Sequence, residues 1–178
     1  MIWITFFLSA LLMAGQVDPV LFEGRVSFVS DAPLELIKAS SERVRGAVDF
    51  ESGEFVFSIP MNSFMGFNSE LQREHYNENY LETHLYKNAR YSGVILDDVD
   101  LSKDGVYNVR TKGIFLIHGL ENERIMRHTL TVEGNEIIID SEFTVTLSDY
   151  NIRIPKIVEK KIAPNIHVNL NVRGYIEL

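Results

Sequence analysis

The sequence predicts an all-β fold, an antiparallel barrel of about eight strands with one short helix. Three observations carry it. Apolar and polar residues alternate with a period of two over three long stretches, compact polar linkers separate the alternating runs, and one polar island at 71–82 switches to helical spacing.

Residues 165–177 form the clearest strand. Ile166, Val168, Leu170, Val172, Gly174 and Ile176 fall on one face, and His167, Asn169, Asn171, Arg173, Tyr175 and Glu177 on the other. Such a pattern belongs to a half-buried antiparallel strand. Residues 136–148 repeat it, with Ile137, Ile139, Ser141, Phe143, Val145 and Leu147 inward. Residues 106–117 do so again, with Tyr107, Val109, Thr111, Gly113, Phe115 and Ile117 inward. Shorter candidates lie at 21–29, 44–50, 54–60, 91–97 and 124–132. Glu51-Ser52-Gly53, Lys103-Asp104-Gly105 and Glu133-Gly134-Asn135 read as hairpin turns. A barrel is favoured over a sandwich because closure removes the edges that such long strands would expose.

A chain of 178 residues, 46% apolar and 24% charged, is long enough for a single domain with its own core. Residues 1–15 carry no charged side chain and end in Ala14 and Gly15, which is the pattern of a secretory signal peptide. The barrel domain is then expected over 16–178, and removal of the leader takes away Trp3, the only tryptophan. The absence of cysteine excludes disulfides, thiolate nucleophiles and cysteine-anchored lipidation, and export then points to the periplasm or the external medium. A net charge of -8, with no basic cluster beyond Lys160 and Lys161, argues against nucleic acid and anionic membranes as partners.

The inward set mixes Phe22, Phe28, Phe55, Phe57, Phe115 and Phe143 with aliphatic residues. Gly24, Gly93, Gly113 and Gly174 stand at strand positions where a side chain is expected. Glycine there marks either a barrel corner or a place that something approaches closely. An eight-stranded barrel is just wide enough to be filled by side chains or to hold one small ligand.

The island LQREHYNENYLE predicts a helix capped by Asn68 or Ser69, with Glu70 in its first turn, ending near Glu82. His75, Glu78, Asn79 and Glu82 would share one face of it, where an imidazole and a carboxylate could meet a metal. Asn79 stands where the HxxEH pattern of zinc proteases has its second histidine, so a metal-assisted hydrolase using His75 and Glu78 is only an alternative. No GxSxG, cysteine or glycine-rich phosphate loop is present, and neither enzymatic activity nor a cofactor is expected. His118-Gly119 closes a long strand, placing an imidazole at the rim either to bond a neighbouring loop carbonyl or to touch a ligand headgroup, with the structural role favoured. His128 shares a face with Met126, Leu130 and Val132 and is expected buried and hydrogen-bonded.

Several segments, in order along nearly the whole chain, resemble the YceI-like family. They are Phe22-Glu23-Gly24, Val26-Ser27-Phe28, Ser30 to Glu35, Ile59 to Phe64, the helix Glu74 to Glu82, Tyr91-Ser92-Gly93, Gly113 to Gly119 and Asp149 to Ile152. The turn after Gly119 departs from many relatives, as does Asn151 where glycine is common. The resemblance implies a lipocalin-like barrel that binds a polyisoprenoid or related amphipathic chain, such as an isoprenoid quinone, and a helix packed near the barrel mouth. Phe28, Phe57, His75, Tyr76, Tyr80, Phe115 and Phe143 are the expected ligand contacts at the interior or mouth. A filled barrel acting through its loops is the remaining alternative.

Overall fold

A strand that alternates apolar and polar residues buries one face only. A sheet of such strands satisfies both that face and its edges by closing on itself. In the computed structural model, which describes residues 18–176, this is what happens. The strands are β1 (Val20–Ala32), β2 (Glu35–Val48), β3 (Glu54–Pro60), β4 (Asn88–Ile95), β5 (Gly105–Ile117), β6 (Leu120–Glu133), β7 (Glu136–Thr146) and β8 (Asn165–Tyr175). Each pairs antiparallel with its neighbour in sequence, and β8 pairs with β1 from Phe22↔Gly174 to Val29↔His167, closing an eight-stranded barrel. The expected signal peptide lies outside the described residues.

The two ends of the barrel differ. At the end where β1 starts, connections are short and all but one of the largest fully buried side chains gather: Phe22, Val48, Leu130, Val132, Ile137 and Val172, the exception being Tyr150 on the β7–β8 connection. This end is a packed plug. The opposite end carries the long excursions, residues 61–87 between β3 and β4 and residues 147–164 between β7 and β8.

The β2 strand corrects the sequence reading, which expected only 44–50. It begins at Glu35, and its buried positions run Ile37, Ala39 and Ser41, then Val44 and Val48. The odd-to-even switch comes from a bulge, because Gly24 pairs with Val44 while Val26 pairs with Ser41. A bulge adds one residue and flips the parity of everything beyond it, so no single period-two frame covers the strand. On the outer face, Arg25 spans the bulge to Glu42 at 3.1 Å. The β4 strand starts three residues before the expected 91–97 and ends two residues earlier. Past its end, Asp97 turns its carboxylate onto the backbone N–H and guanidinium of Arg110.

Two seams are short. The β2–β3 ladder covers only Arg45–Val48, and above it residues 61–69 take over, with Ser40 and Met65 exchanging backbone hydrogen bonds of 2.8 and 2.9 Å. The β6–β7 ladder stops above Thr129↔Asp140, and Arg124 Nη1 then reaches the Thr144 carbonyl at 3.0 Å.

The expected helix forms as α1 (Glu70–His75). Ser69 caps it by accepting from the Gln72 N–H at 3.2 Å. It then widens into a π-turn over Tyr76–Tyr80 and ends as Glu82 turns to a φ of 42°.

Gly93 and Gly113 face each other across β4 and β5. A Cβ on Gly93 would fall on the Lys112 carbonyl, and one on Gly113 on the Ser92 carbonyl. Neither lines the interior, and nor do Gly24 and Gly174, so these glycines serve close strand approach rather than making room for a ligand. Gly93→Ala should therefore cost about 1–3 kcal/mol in urea denaturation. An unshifted midpoint would contradict the close approach.

Candidate functional site: a hollow barrel interior

The inward faces above the plug do not meet. They enclose a cavity of about 550 Å³ that opens beneath α1. Val48 and Leu130 belong to its floor, and aliphatic side chains from the strands, among them Ile37, Val109, Ile139 and Leu170, line its walls. A volume of this size lies within the range of small-ligand pockets, roughly 300–1,000 Å³.

Aromatic side chains fill two zones. Near the mouth, Tyr76 stacks on Phe28 with ring centroids 5.8 Å apart at 18°, and Phe64 and Phe67 pack against both rings. The Tyr76 hydroxyl donates to the Met61 carbonyl at 3.2 Å, and burial raises its pKa, so it stays a neutral phenol. Deeper, a chain of rings runs from Phe55, tilted on Tyr91 at 4.9 Å, and on edge-to-face from Tyr91 to Phe115 and Phe143 at 5.7 and 5.6 Å. Offset and tilted rings of this kind hold a wall in place without closing the space beside it.

One polar belt crosses the wall over four neighbouring strands. His128 Nε2 lies 2.8 Å from Thr111 Oγ1, which lies 2.9 Å from the Tyr91 hydroxyl, which donates to the Arg124 carbonyl at 3.3 Å. Since a carbonyl only accepts, that last bond sets the direction of the chain. Thr111 then donates to Tyr91, and His128 donates through Nε2. Ser141 continues the belt on β7, donating to the Arg127 carbonyl at 3.3 Å. Nδ1 of His128 is buried and has no partner among the described residues. Burial drives the His128 pKa down to about 4, so the imidazole is neutral at pH 7.

All seven expected contact residues line this cavity: Phe28, Phe57, His75, Tyr76, Tyr80, Phe115 and Phe143. Phe22, also expected inward, packs instead at the plug against Phe50 and Phe57. Sequence reasoning missed Phe64 and Phe67 because they lie on the irregular excursion between β3 and α1, where no period marks a face. It also missed the belt, since Tyr91 and Thr111 meet only through strand register.

The shared metal face of the island does not form. The π-turn spoils the helical spacing, Glu78 faces His84 at 3.8 Å, and Glu82 leaves for His118 Nε2 at 2.8 Å. Among the described residues no three His, Asp or Glu side chains gather as metal ligands. His118 holds the rim together instead. Its Nδ1 donates to the Tyr150 carbonyl at 2.9 Å and its ring meets Tyr86 edge-on at 4.5 Å, tying the helix end, the β5–β6 turn and the β7–β8 connection.

A family model described as the YceI-like domain matches residues 17–173. The chain belongs to the YceI-like family. No curated protein matches it significantly. Among solved structures, a polyisoprenoid-binding domain from Saccharophagus degradans is 15% identical, with a TM-score of 0.74 over 90% of this chain and 99% of that one. Burkholderia cenocepacia BcnA is 14% identical, with a TM-score of 0.69 over 85% of this chain and 95% of that one. The YCEI protein of Campylobacter jejuni is 12% identical, with a TM-score of 0.58 over 99% and 94%. At such identities the likeness establishes the fold, so the cavity of this YceI-like barrel must be judged by its own residues.

The neutral His128 links interior to stability. Unfolded, its imidazole takes up a proton near the ordinary value of 6.5, whereas folded it does so only near 4. Its contribution is complete above about pH 6.5 and is lost as pH falls toward about 4. His128→Gln should flatten the fall in urea midpoint across that window relative to the unaltered protein. Parallel falls in both would show that His128 is not buried neutral.

Proposed function

We propose that this protein is an exported lipid-binding protein that sequesters a polyisoprenoid or similar amphipathic apolar chain, such as an isoprenoid quinone, inside its barrel. The observation that carries this is the cavity of about 550 Å³, walled mainly by aliphatic and aromatic side chains above a packed plug. Water in such a space finds few partners, while each methylene moved into it gains about 0.8 kcal/mol. A hollow of this size also speaks against a filled barrel working through its loops.

The seven lining residues take distinct parts. Phe57, Phe115 and Phe143 contact the chain in the interior, whereas Phe28, Tyr76, Tyr80 and His75 contact it toward the mouth. Deep in the cavity the belt of Tyr91, Thr111 and His128 can meet a polar group on the chain, and its neutral imidazole suits an uncharged one, whereas Glu35, Gln72, His75 and Lys161 offer polar groups toward the mouth. The polyisoprenoid binding attributed to the Saccharophagus degradans domain supports the chemical class. Export rests on the charge-free apolar run of residues 1–15 ahead of the matched domain. Binding of this kind needs no catalytic group.

Protein isolated without detergent should show, by native mass spectrometry, a noncovalent adduct that organic solvent removes and that proves to be an apolar chain. Adduct-free protein that also fails to take up a long-chain prenol would sink the reading.

A further inference from the structure

The mouth of the cavity has an unusual rim. Ile157, on the connection between β7 and β8, is 91% exposed, the highest value for a large apolar side chain among the described residues. Leu34 in the β1–β2 turn is 68% exposed and Leu71 on α1 is 59% exposed. These three segments are joined at the same end. The Leu34 N–H donates to the Lys160 carbonyl at 2.9 Å, and Gln72 Nε2 donates to Glu35 Oε1 at 2.9 Å. Leu71, Val158 and Lys161 themselves line the cavity, so rim and entrance are one surface.

The charge around Ile157 runs against that of the chain. The whole sequence carries -8, yet residues 153–161 set Arg153, Lys156, Lys160 and Lys161 against the lone carboxylate of Glu159. All four cations are exposed, and among the described residues none is in an ion pair. An exposed apolar tip ringed by lysines is the arrangement that binds a negatively charged lipid surface, with the tip in the acyl boundary and the ammonium groups among the headgroups. Carboxylates elsewhere, including Asp31, Glu35 and Glu70 beside Leu34 and Leu71, are repelled by the same surface, which tips the Ile157 segment toward it. Net charge hid this in the sequence, since the four cations are spread over nine residues and gather only around one exposed isoleucine.

We propose that this rim docks on an anionic lipid bilayer, inserting Ile157 and laying Lys156, Lys160 and Lys161 over the headgroups, so that the cavity opens toward the hydrocarbon. A chain could then pass between bilayer and barrel without crossing water. The purpose of docking rests on the lipid-binding reading, but docking itself is measured with no ligand in the barrel. Failure of one therefore leaves the other standing.

The test uses the chain from Gln16 onward, which keeps every strand of the closed barrel and, with Trp3 gone, contains no tryptophan. Ile157→Trp then places a single fluorophore at the tip, and Val106→Trp places one at the plugged end. With vesicles of phosphatidylglycerol and phosphatidylcholine carrying brominated acyl chains, Ile157→Trp should shift to the blue and be quenched, and Val106→Trp should not. Changing Lys156, Lys160 and Lys161 to Gln in the Ile157→Trp protein should weaken partitioning roughly tenfold or more. An unquenched Ile157→Trp, equal quenching at Val106→Trp, or partitioning indifferent to the three lysines would each overturn the proposal.

Discussion

Everything else in this molecule depends on the seam between β1 and β8. Eight residue pairs, Phe22↔Gly174 to Val29↔His167, turn a meander into a closed wall, and only a closed wall has an inside. Two of the strand glycines stand on that seam. A Cβ on Gly24 would fall on the Asn171 carbonyl, and one on Gly174 would sit 2.6 Å from the Leu21 carbonyl. The backbones of the first and last strands approach more closely than side chains allow, and closure follows from that approach.

Once closed, the barrel divides its interior unevenly. Large aliphatic and aromatic side chains meet at the end where β1 begins, and their packing supplies much of the core. Above them the same inward positions face a hollow, so those side chains forgo part of the contact energy a filled core would give. The connections compensate by bracing the open end. Ser40 and Met65 bond across the gap left by the short β2–β3 ladder, and His118 clasps three rim segments through Glu82, Tyr150 and Tyr86. A rigid rim and a firm floor around an empty middle make a container, and neither requires a catalytic group.

Much of this was legible in the alternation. The long runs now seen as β5, β7 and β8 have the inward faces that their sequences indicated, and the expected hairpin at Glu133-Gly134-Asn135 forms, with Glu133 already paired and Gly134-Asn135 making the turn. The upper half of β2 was not legible, because the bulge at Glu42 and Arg43 shifts Ile37, Ala39 and Ser41 out of phase with Val44 and Val48. At the site, aromatics on regular strands could be assigned inward. The Tyr91, Thr111 and His128 belt could not, since its members touch only through strand register. The island misled in one respect. Helical spacing grouped Glu82 with His75, but the π-turn and the positive φ of Glu82 carry that carboxylate to His118 instead.

The central claim is that the hollow takes up an apolar chain, and the most direct measurement watches its walls. In methyl NMR spectra of the protein titrated with a long-chain prenol, Ile37, Val109, Ile139 and Leu170 line the cavity and should shift together and saturate. Val56 and Ile125, exposed on the outer face, should stay in place. Shifts confined to the outer face, or no shifts at all, would contradict the claim.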